Sequence, residues 1–503
     1  MATEKDPILA RIQAAESDKQ KQASWIDETM RLMLPTQRRV SDSSDPASRT
    51  AEQSDLFDVT LQIVGDDFAS DMSSTFTPRY ERWVHFAPSD ALSEGQRREI
   101  APELQSIGDL VFGEIERSNY FSAAQECFGH WAVSRMMVVI SDRGATEPLH
   151  FQVVEIADQI VERGPDGSTS GRWRKMRVKM LDLPVLWPEH FTAPEKKDEA
   201  KVVSVYEGID RDWSKPAEEA WNYRIIVDGK IKVGPIRYVG PGSAQFITCQ
   251  FKAQADTAWG PGPAHKATPM ARVLDELGYM SLKALGKSVD PVVSYEEDGL
   301  TNPEGGVNPG DWIPRAAGSK APETMRTEVR FDYLAYNVDE LRKDIRRALY
   351  QDRPEQDGKT PPTATQWNYQ NVWQTRRREL PRDICVQEWV LPIIQRVAWI
   401  LKQRGVLPEI KLQGGQLVNV QPVSPLSKAK DLEDVQVSER LIDLGVKLQA
   451  AVAQGFPCNP IDTFNNLKRT LGERNLVMLT QDQAVQVASA TGMIQQPNGQ
   501  PPA

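Results

Sequence analysis

Residues 259–290 read WGPGPAHKATPMARVLDELGYMSLKALGKSVD. Two textures meet in this stretch. Trp259-Gly260-Pro261-Gly262-Pro263 reads as a stiff hinge, with prolines where amide donors would be needed to cradle a phosphate. Thr268-Pro269 then offers an N-cap and a first-turn proline. Met270, Val273, Leu274, Leu277, Ala284 and Leu285 fall on one helical face up to Asp290-Pro291. About 20 residues of helix would span ~30 Å. Gly286-Lys287-Ser288 ends like a nucleotide-binding loop, but Ser281 stands where the first glycine belongs. The segment also closes a helix and does not follow a strand, so it reads as a long amphipathic helix and not as an ATP site.

Upstream, from about 148 to 250, the pattern alternates with period two, and Gly164-Pro165-Asp166-Gly167 and Asp228-Gly229 are turn signals. This is a β-rich region with hairpins. Before it, helices are expected over 6–34, 56–75, 95–118 and 121–137, with a short strand at 82–86 and a polar loop at 36–53. Downstream, 291–332 is irregular and rich in Gly, Pro and Asn. A second helix is expected from Asn337, with Asn337 and Glu340 as a capping box, Tyr336 and Leu341 as a staple, and Leu341, Ile345 and Leu349 as its apolar side. A polar loop over 351–363 leads to a long helix over 365–404, kinked at Pro381 and Pro392 and closed by Gly405 and Pro408. A β-like piece comes next over 410–420, then helices over 427–491 and a low-complexity tail. The fold class is α+β and mostly helical.

The chain has 503 residues, with 60 Lys+Arg against 70 Asp+Glu, hence a net charge of −10. That length implies roughly two to four domains or layers. No run of about 18 uncharged apolar residues is present, so no membrane span is expected. The opening residues are charged from the start and lack the apolar core of a leader. Cys127, Cys249, Cys385 and Cys458 are far apart, and His85, His130, His150, His190 and His265 never take metal-ligand spacing. No cofactor, metal site or catalytic constellation is expected. One charge feature is less bland. Lys283 and Lys287 lie four apart on the first helix. Arg342, Lys343, Arg346, Arg347 and Arg353 cluster on and just beyond the second, and Lys359 comes after them. Within 341–353 five residues are basic and two acidic. Such a face is either simply solvated or a sequence-independent contact with phosphate, and the residues alone leave both open.

The ordered set of segments resembles the head-to-tail connector, or portal, proteins of short-tailed, T7-like bacteriophages. The resemblance rests on Arg11-Ile12, Trp25-Ile26 and Leu34-Pro35. It continues in Phe57-Asp58-Val59-Thr60, in the block from Phe68 to Pro78, and in Arg82-Trp83. Trp259 to Pro263, Thr363-Ala364-Thr365, Glu388 to Ile394, Gly405 to Pro408 and Ser424 to Ala429 come in the same order. It runs from about 10 to 490, and Gln366 departs from it where an acidic residue is common.

The resemblance implies a non-enzymatic homo-dodecameric ring at one capsid vertex. Double-stranded DNA would pass through it without sequence readout, during packaging and ejection. The implied partners are the packaging terminase, major capsid and scaffold proteins, and tail adaptor and internal core proteins. The implied location is the virion, with assembly in the host cytoplasm. Residues 1–258 would form a wing, 259–290 a first stem helix, 291–332 a clip and 333–350 a second stem helix. A channel loop over 351–363, a long wing helix and β piece over 364–426, a crown over 427–491 and a disordered tail over 492–503 would complete the subunit. Lys283, Lys287, Arg342, Lys343, Arg346, Arg347, Arg353 and Lys359 are the candidates to face DNA. Without the resemblance, a nucleic-acid-processing hydrolase with a basic groove, or a non-viral helical scaffold, would fit the same composition.

Overall fold

The computed structural model describes residues 7–41, 53–88, 93–144, 149–215, 218–289, 293–294, 323–324, 331–352, 377, 381–407, 418–422, 441, 443–444, 446–447 and 463. Side chains at 94, 287–289, 293–294, 323–324, 331–336 and 418–422 are outside that description. The chain divides into two compact units, Met1–Pro422 and Val423–Ala503. The first unit holds nearly all of the described residues. Of the expected segments, 427–491 and the tail lie almost wholly outside them, as do 353–363, 365–380 apart from residue 377, and all of 291–332 except two short strands and residues 331–332.

The element order begins with helix α1 (Pro7–Met33), α2 (Thr60–Phe76), strand β1 (Val84–Pro88), α3 (Glu94–Arg117) and α4 (Tyr120–Val133). Strands β2 (Arg135–Ser141), β3 (His150–Val153), β4 (Gln159–Arg163) and β5 (Thr169–Lys179) come next, then the short α5 (Leu183–Leu186). After it lie β6 (Val202–Arg211), β7 (Ala220–Val227), β8 (Lys230–Val239) and β9 (Phe246–Gln250). Helix α6 (Pro263–Val289), strands β10 (Val293–Ser294) and β11 (Glu323–Thr324), and α7 (Phe331–Ala348) complete the middle. A π-helical turn (Val386–Val390) runs into α8 (Leu391–Gln403), and β12 (Val418–Pro422) closes the unit. Helices and sheets are thus both present, and the fold is α+β.

The alternating region forms two sheets. β4-β5-β6-β7-β8 is an antiparallel meander, and β3-β2-β9 is a separate three-stranded sheet. The meander needs tight reversals, and Asp228-Gly229 supplies one, with φ of 46° and 74°. Two successive positive φ values suit a hairpin whose flanking strands twist right-handed.

Helix α4 is the centre of the core. Ten of its residues are buried, including Phe128 and Trp131 at 0% exposure. Only Ser122, Gln125 and Glu126 face solvent as exposed residues, so the rest of the helix surface has to be covered by the protein. Phe68 and Phe76 of α2, Phe251 and Trp389 supply much of that cover as ring contacts. The run Pro381–Gln403 is long and apolar enough by composition to cross a membrane. Its apolar side is spent on the protein instead: Ile393, Ile394, Val397, Ile400 and Leu401 are buried in the same core. A smaller core joins Ile8, Ile12 and Ala15 of α1 to Ile160, Trp173 and Ile226 of the meander. Lys19 crosses between the two: its Nζ donates to the carbonyls of Ala157 (2.6 Å) and Gln159 (2.8 Å). Burial lowers its pKa to about 8.

The Gly-Pro hinge has a packing reason. A Cβ on Gly260 would lie 1.9 Å from the Lys252 carbonyl oxygen, and one on Gly262 would lie 2.1 Å from that of Ala132. The Gly262 N–H donates to the Val133 carbonyl at 2.8 Å. Only a backbone without side chains can pass this close to the Lys252 peptide and to the end of α4. The hinge therefore seats α6 on the core.

Two expected helix starts are corrected. α6 begins at Pro263, before the expected cap. Proline at the first helical position is favourable, because its missing N–H would be unpaired there anyway. Thr268 turns its hydroxyl inward, donating to the Ala264 carbonyl (3.0 Å) and meeting Thr29 (3.0 Å). Likewise α7 begins at Phe331, so Asn337 lies inside the helix and caps nothing. Of the β-like piece expected at 410–420, residues 410–417 lie outside the described residues and 418–420 begin β12, which pairs antiparallel with β1 from Val84↔Pro422 to Pro88↔Val418.

Candidate nucleic-acid interface

α6 and α7 pack on each other. On α6 the last buried side chain among the described residues is Leu274. Beyond it, Tyr279, Met280, Leu282 and Leu285 are all large, apolar and exposed. On α7, Ile345 and Leu349 are wholly buried and Val338 and Leu341 are half-buried. The pair is thus rooted at one end, and the far end of α6 is bare, as in a two-helix stalk.

The segment before α2 braces the root. Asp275 of α6 accepts the backbone N–H groups of Phe57 (2.6 Å) and Asp58 (3.2 Å). The Phe57 ring lies 5.1 Å from that of Tyr279. α7 runs alongside α2. Arg342 bridges to Asp58 at 3.1 Å near one end, and Gln351 Nε2 donates to Asp71 at 3.2 Å near the other.

The candidate cations divide accordingly. Arg342 is engaged by Asp58. Lys343 is exposed and also already has an interaction partner. Lys283 places its ammonium 4.2 Å from the Tyr279 ring centroid, a cation–π contact that leaves the charge at the surface. Arg346 and Arg347 are exposed side by side on α7. The Lys287 side chain, Arg353 and Lys359 lie outside the described residues.

Sequence reasoning missed the residues that hold the cluster in place. Asp58 and Asp71 are carboxylates for α7, and Arg377 caps its end. Arg377 donates to the Arg347 carbonyl (2.7 Å), bonds to Asp352 (3.0 Å) and stacks over Tyr350 (5.1 Å). Tyr350 takes φ of 61°, the left-handed conformation that ends a helix. No local pattern announces Arg377, because its partners lie 25 to 30 residues away.

The strongly basic strand β5 is different. Arg174 is buried on Glu207. Arg172 stacks 4.7 Å over Trp221 and donates to the Phe246 carbonyl at 2.6 Å. These cations hold the sheets together and are not presented to a ligand.

The chemistry-bearing groups are also structural. Burial lowers the His130 pKa to about 4, and its Nε2 donates to Gln37 at 2.8 Å. Burial raises the thiols of Cys127 and Cys249 well above their ordinary range. Among the described residues no group of three or more His, Cys, Asp or Glu side chains is placed to hold a metal.

The family model for bacteriophage head to tail connecting proteins matches residues 5–454. The chain belongs to that family. The connector is therefore a structural component of a phage particle, at the junction of head and tail. Among solved structures, it is similar to a chain in the virion of a native gene transfer agent particle. The two are 12% identical over 89% of this chain and 93% of that one, with a TM-score of 0.37. A chain in the neck of an empty gene transfer agent particle is 14% identical over 82% and 89%, with a TM-score of 0.34. No curated protein matches the connector significantly.

Proposed function

We propose that this connector is the portal subunit of a short-tailed phage. In this reading copies of the chain form a closed dodecameric ring at one capsid vertex, and double-stranded DNA passes through it in packaging and ejection. The observation that carries the reading is the stalk. Tyr279, Met280, Leu282 and Leu285 of α6 stay uncovered in the single chain. A helix with such a surface is stable in water only when something covers it, and a ring supplies neighbours.

The charge supports a conduit over a clamp. Duplex DNA carries one negative charge per ~1.7 Å of axis. Tight neutralisation of those charges would hold the DNA still. A subunit with a net charge of −10 and a few exposed cations repels DNA on the whole and guides it locally. Lys283, Lys287, Arg353 and Lys359 are the proposed guides. During filling the ring would dock the packaging terminase through residues 291–332, and later the tail adaptors and internal core proteins. Scaffold and major capsid proteins would surround it as it assembles in the host cytoplasm.

The test is reconstitution. Heads assembled with the connector fill with duplex DNA when the packaging ATPase is supplied, and heads assembled without it stay empty. Equal filling without the connector would refute the reading.

A further inference from the structure

Eight of the eighteen large apolar side chains that stay exposed among the described residues lie on α6 and on the stretch packed against it. Val273, Tyr279, Met280, Leu282 and Leu285 lie on α6, and Phe57, Val59 and Ile63 on the segment that braces it and the start of α2. Leu282 is 57% exposed and Ile63 56%. A concentration of exposed apolar side chains of this kind marks an interface.

Charge says what covers it. On the outer face of α2, one turn beyond Ile63, Asp66 and Asp67 are exposed, and no ion pair involves either among the described residues. The Asp66 carboxyl is held above its ordinary pKa by partial burial and by Asp67. Two crowded carboxylates beside an apolar surface call for a cationic neighbour. On α7, Arg346 and Arg347 are equally exposed and adjacent.

The register of the two helices sets these pairs at one level. Arg342 meets Asp58 at one end and Gln351 meets Asp71 at the other, so α2 and α7 run side by side in the same direction. Arg346 and Arg347 fall midway between those two contacts along α7, and Asp66 and Asp67 close to midway between them along α2. The offset is less than about one helical turn of 5.4 Å. Yet the two pairs do not touch within one chain. In a ring whose axis runs along these helices, every atom keeps its own level from copy to copy, and one flank of each subunit faces the opposite flank of the next.

We propose that the uncovered apolar side of the stalk is closed by a second copy of this chain, keyed by Asp66 and Asp67 of one copy against Arg346 and Arg347 of the next. The proposal rests on the ring reading, and it takes those two guanidiniums out of the set that meets DNA. The contact is heterologous: each copy offers a carboxylate flank to one neighbour and a guanidinium flank to the other. Ile63 and the α6 side chains supply the apolar area. The charges fix the register, which is what interfacial charges do best.

The test uses full-length chain and mixed rings. Asp66→Lys with Asp67→Lys makes one variant, and Arg346→Glu with Arg347→Glu the other. Each alone should need at least about tenfold more protein than wild type to form rings, read by mass photometry on dilution. Mixing the two should restore assembly, because lysine flanks then meet glutamate flanks and the remaining native flanks meet each other. Rescue on mixing also shows that both variants fold. Variants that assemble like wild type would overturn the proposal while leaving the ring reading standing. So would variants with normal rings that fail only in DNA packaging. A wild-type chain that forms no rings would instead sink the reading beneath it.

Discussion

Arg174 and Glu207 face each other directly across β5 and β6, both almost fully buried. Arg174 Nε donates to Glu207 Oε2 at 2.6 Å, while Tyr223 (2.6 Å) and Trp187 (3.2 Å) donate to Oε1. One carboxylate thus ties three strands and the α5 turn together. Removing its cation leaves a buried charge uncompensated. Arg174→Met should cost about 3–5 kcal/mol in denaturant unfolding. The double change with Glu207→Gln, which removes the charge and keeps an acceptor for Tyr223 and Trp187, should recover most of it, whereas equal loss in both would contradict the assignment. His130 carries a pH dependence. Its folded pKa of about 4 lies below the ordinary 6.5, so between those values the unfolded chain binds more protons. Stability from this residue is full above pH 6.5 and falls as pH drops through the window, by about 3 kcal/mol in all. His130→Gln should flatten the thermal-midpoint profile between pH 7 and 4.5; an unchanged acid limb would show that other groups govern it.

The two stalk helices separate subunit stability from assembly. Ile345 is wholly buried, and Ile345→Ala should cost about 2–4 kcal/mol of subunit stability. Leu282 is exposed in the single chain, so Leu282→Ala should leave monomer unfolding within about 0.5 kcal/mol of wild type. It should nevertheless raise the protein concentration at which rings dissociate. A large fall in monomer stability from Leu282→Ala would mean the stalk is covered by its own chain. Helical stripes such as Leu341, Ile345 and Leu349 were legible in the sequence, because a period near 3.6 is a local signal. The helix starts were not. A Thr-Pro pair reads as a cap whether or not a proline five residues earlier has already begun the helix, and only packing against Thr29 shows where the Thr268 hydroxyl points. The pairing of β1 with β12 joins residues more than three hundred positions apart, and no short-range pattern encodes it. The candidate cations were visible as a cluster, but their partners were not. Arg342 is taken up by Asp58 from a distant segment, and that bond is tertiary.

At the scale of the whole molecule, the connector is a subunit with a well-covered core around α4 and a stalk that is not covered. Family membership and the bare half of α6 point the same way: the folded chain is one part of an assembly. In the proposed conduit, a net charge of −10 per subunit would be a repulsive wall for a sliding polyanion, eased by a few cations. Raising salt should weaken any binding of duplex DNA to the purified protein only modestly, since few phosphates are neutralised and the salt slope scales with their number. A slope of the size seen for tight DNA clamps would contradict a conduit. The most direct measurement is single-particle electron microscopy of the purified full-length chain. The account predicts closed rings with a central hole wide enough for duplex DNA, the α6–α7 stalks packed side by side around it. A stable, monodisperse monomer at micromolar concentration would contradict it.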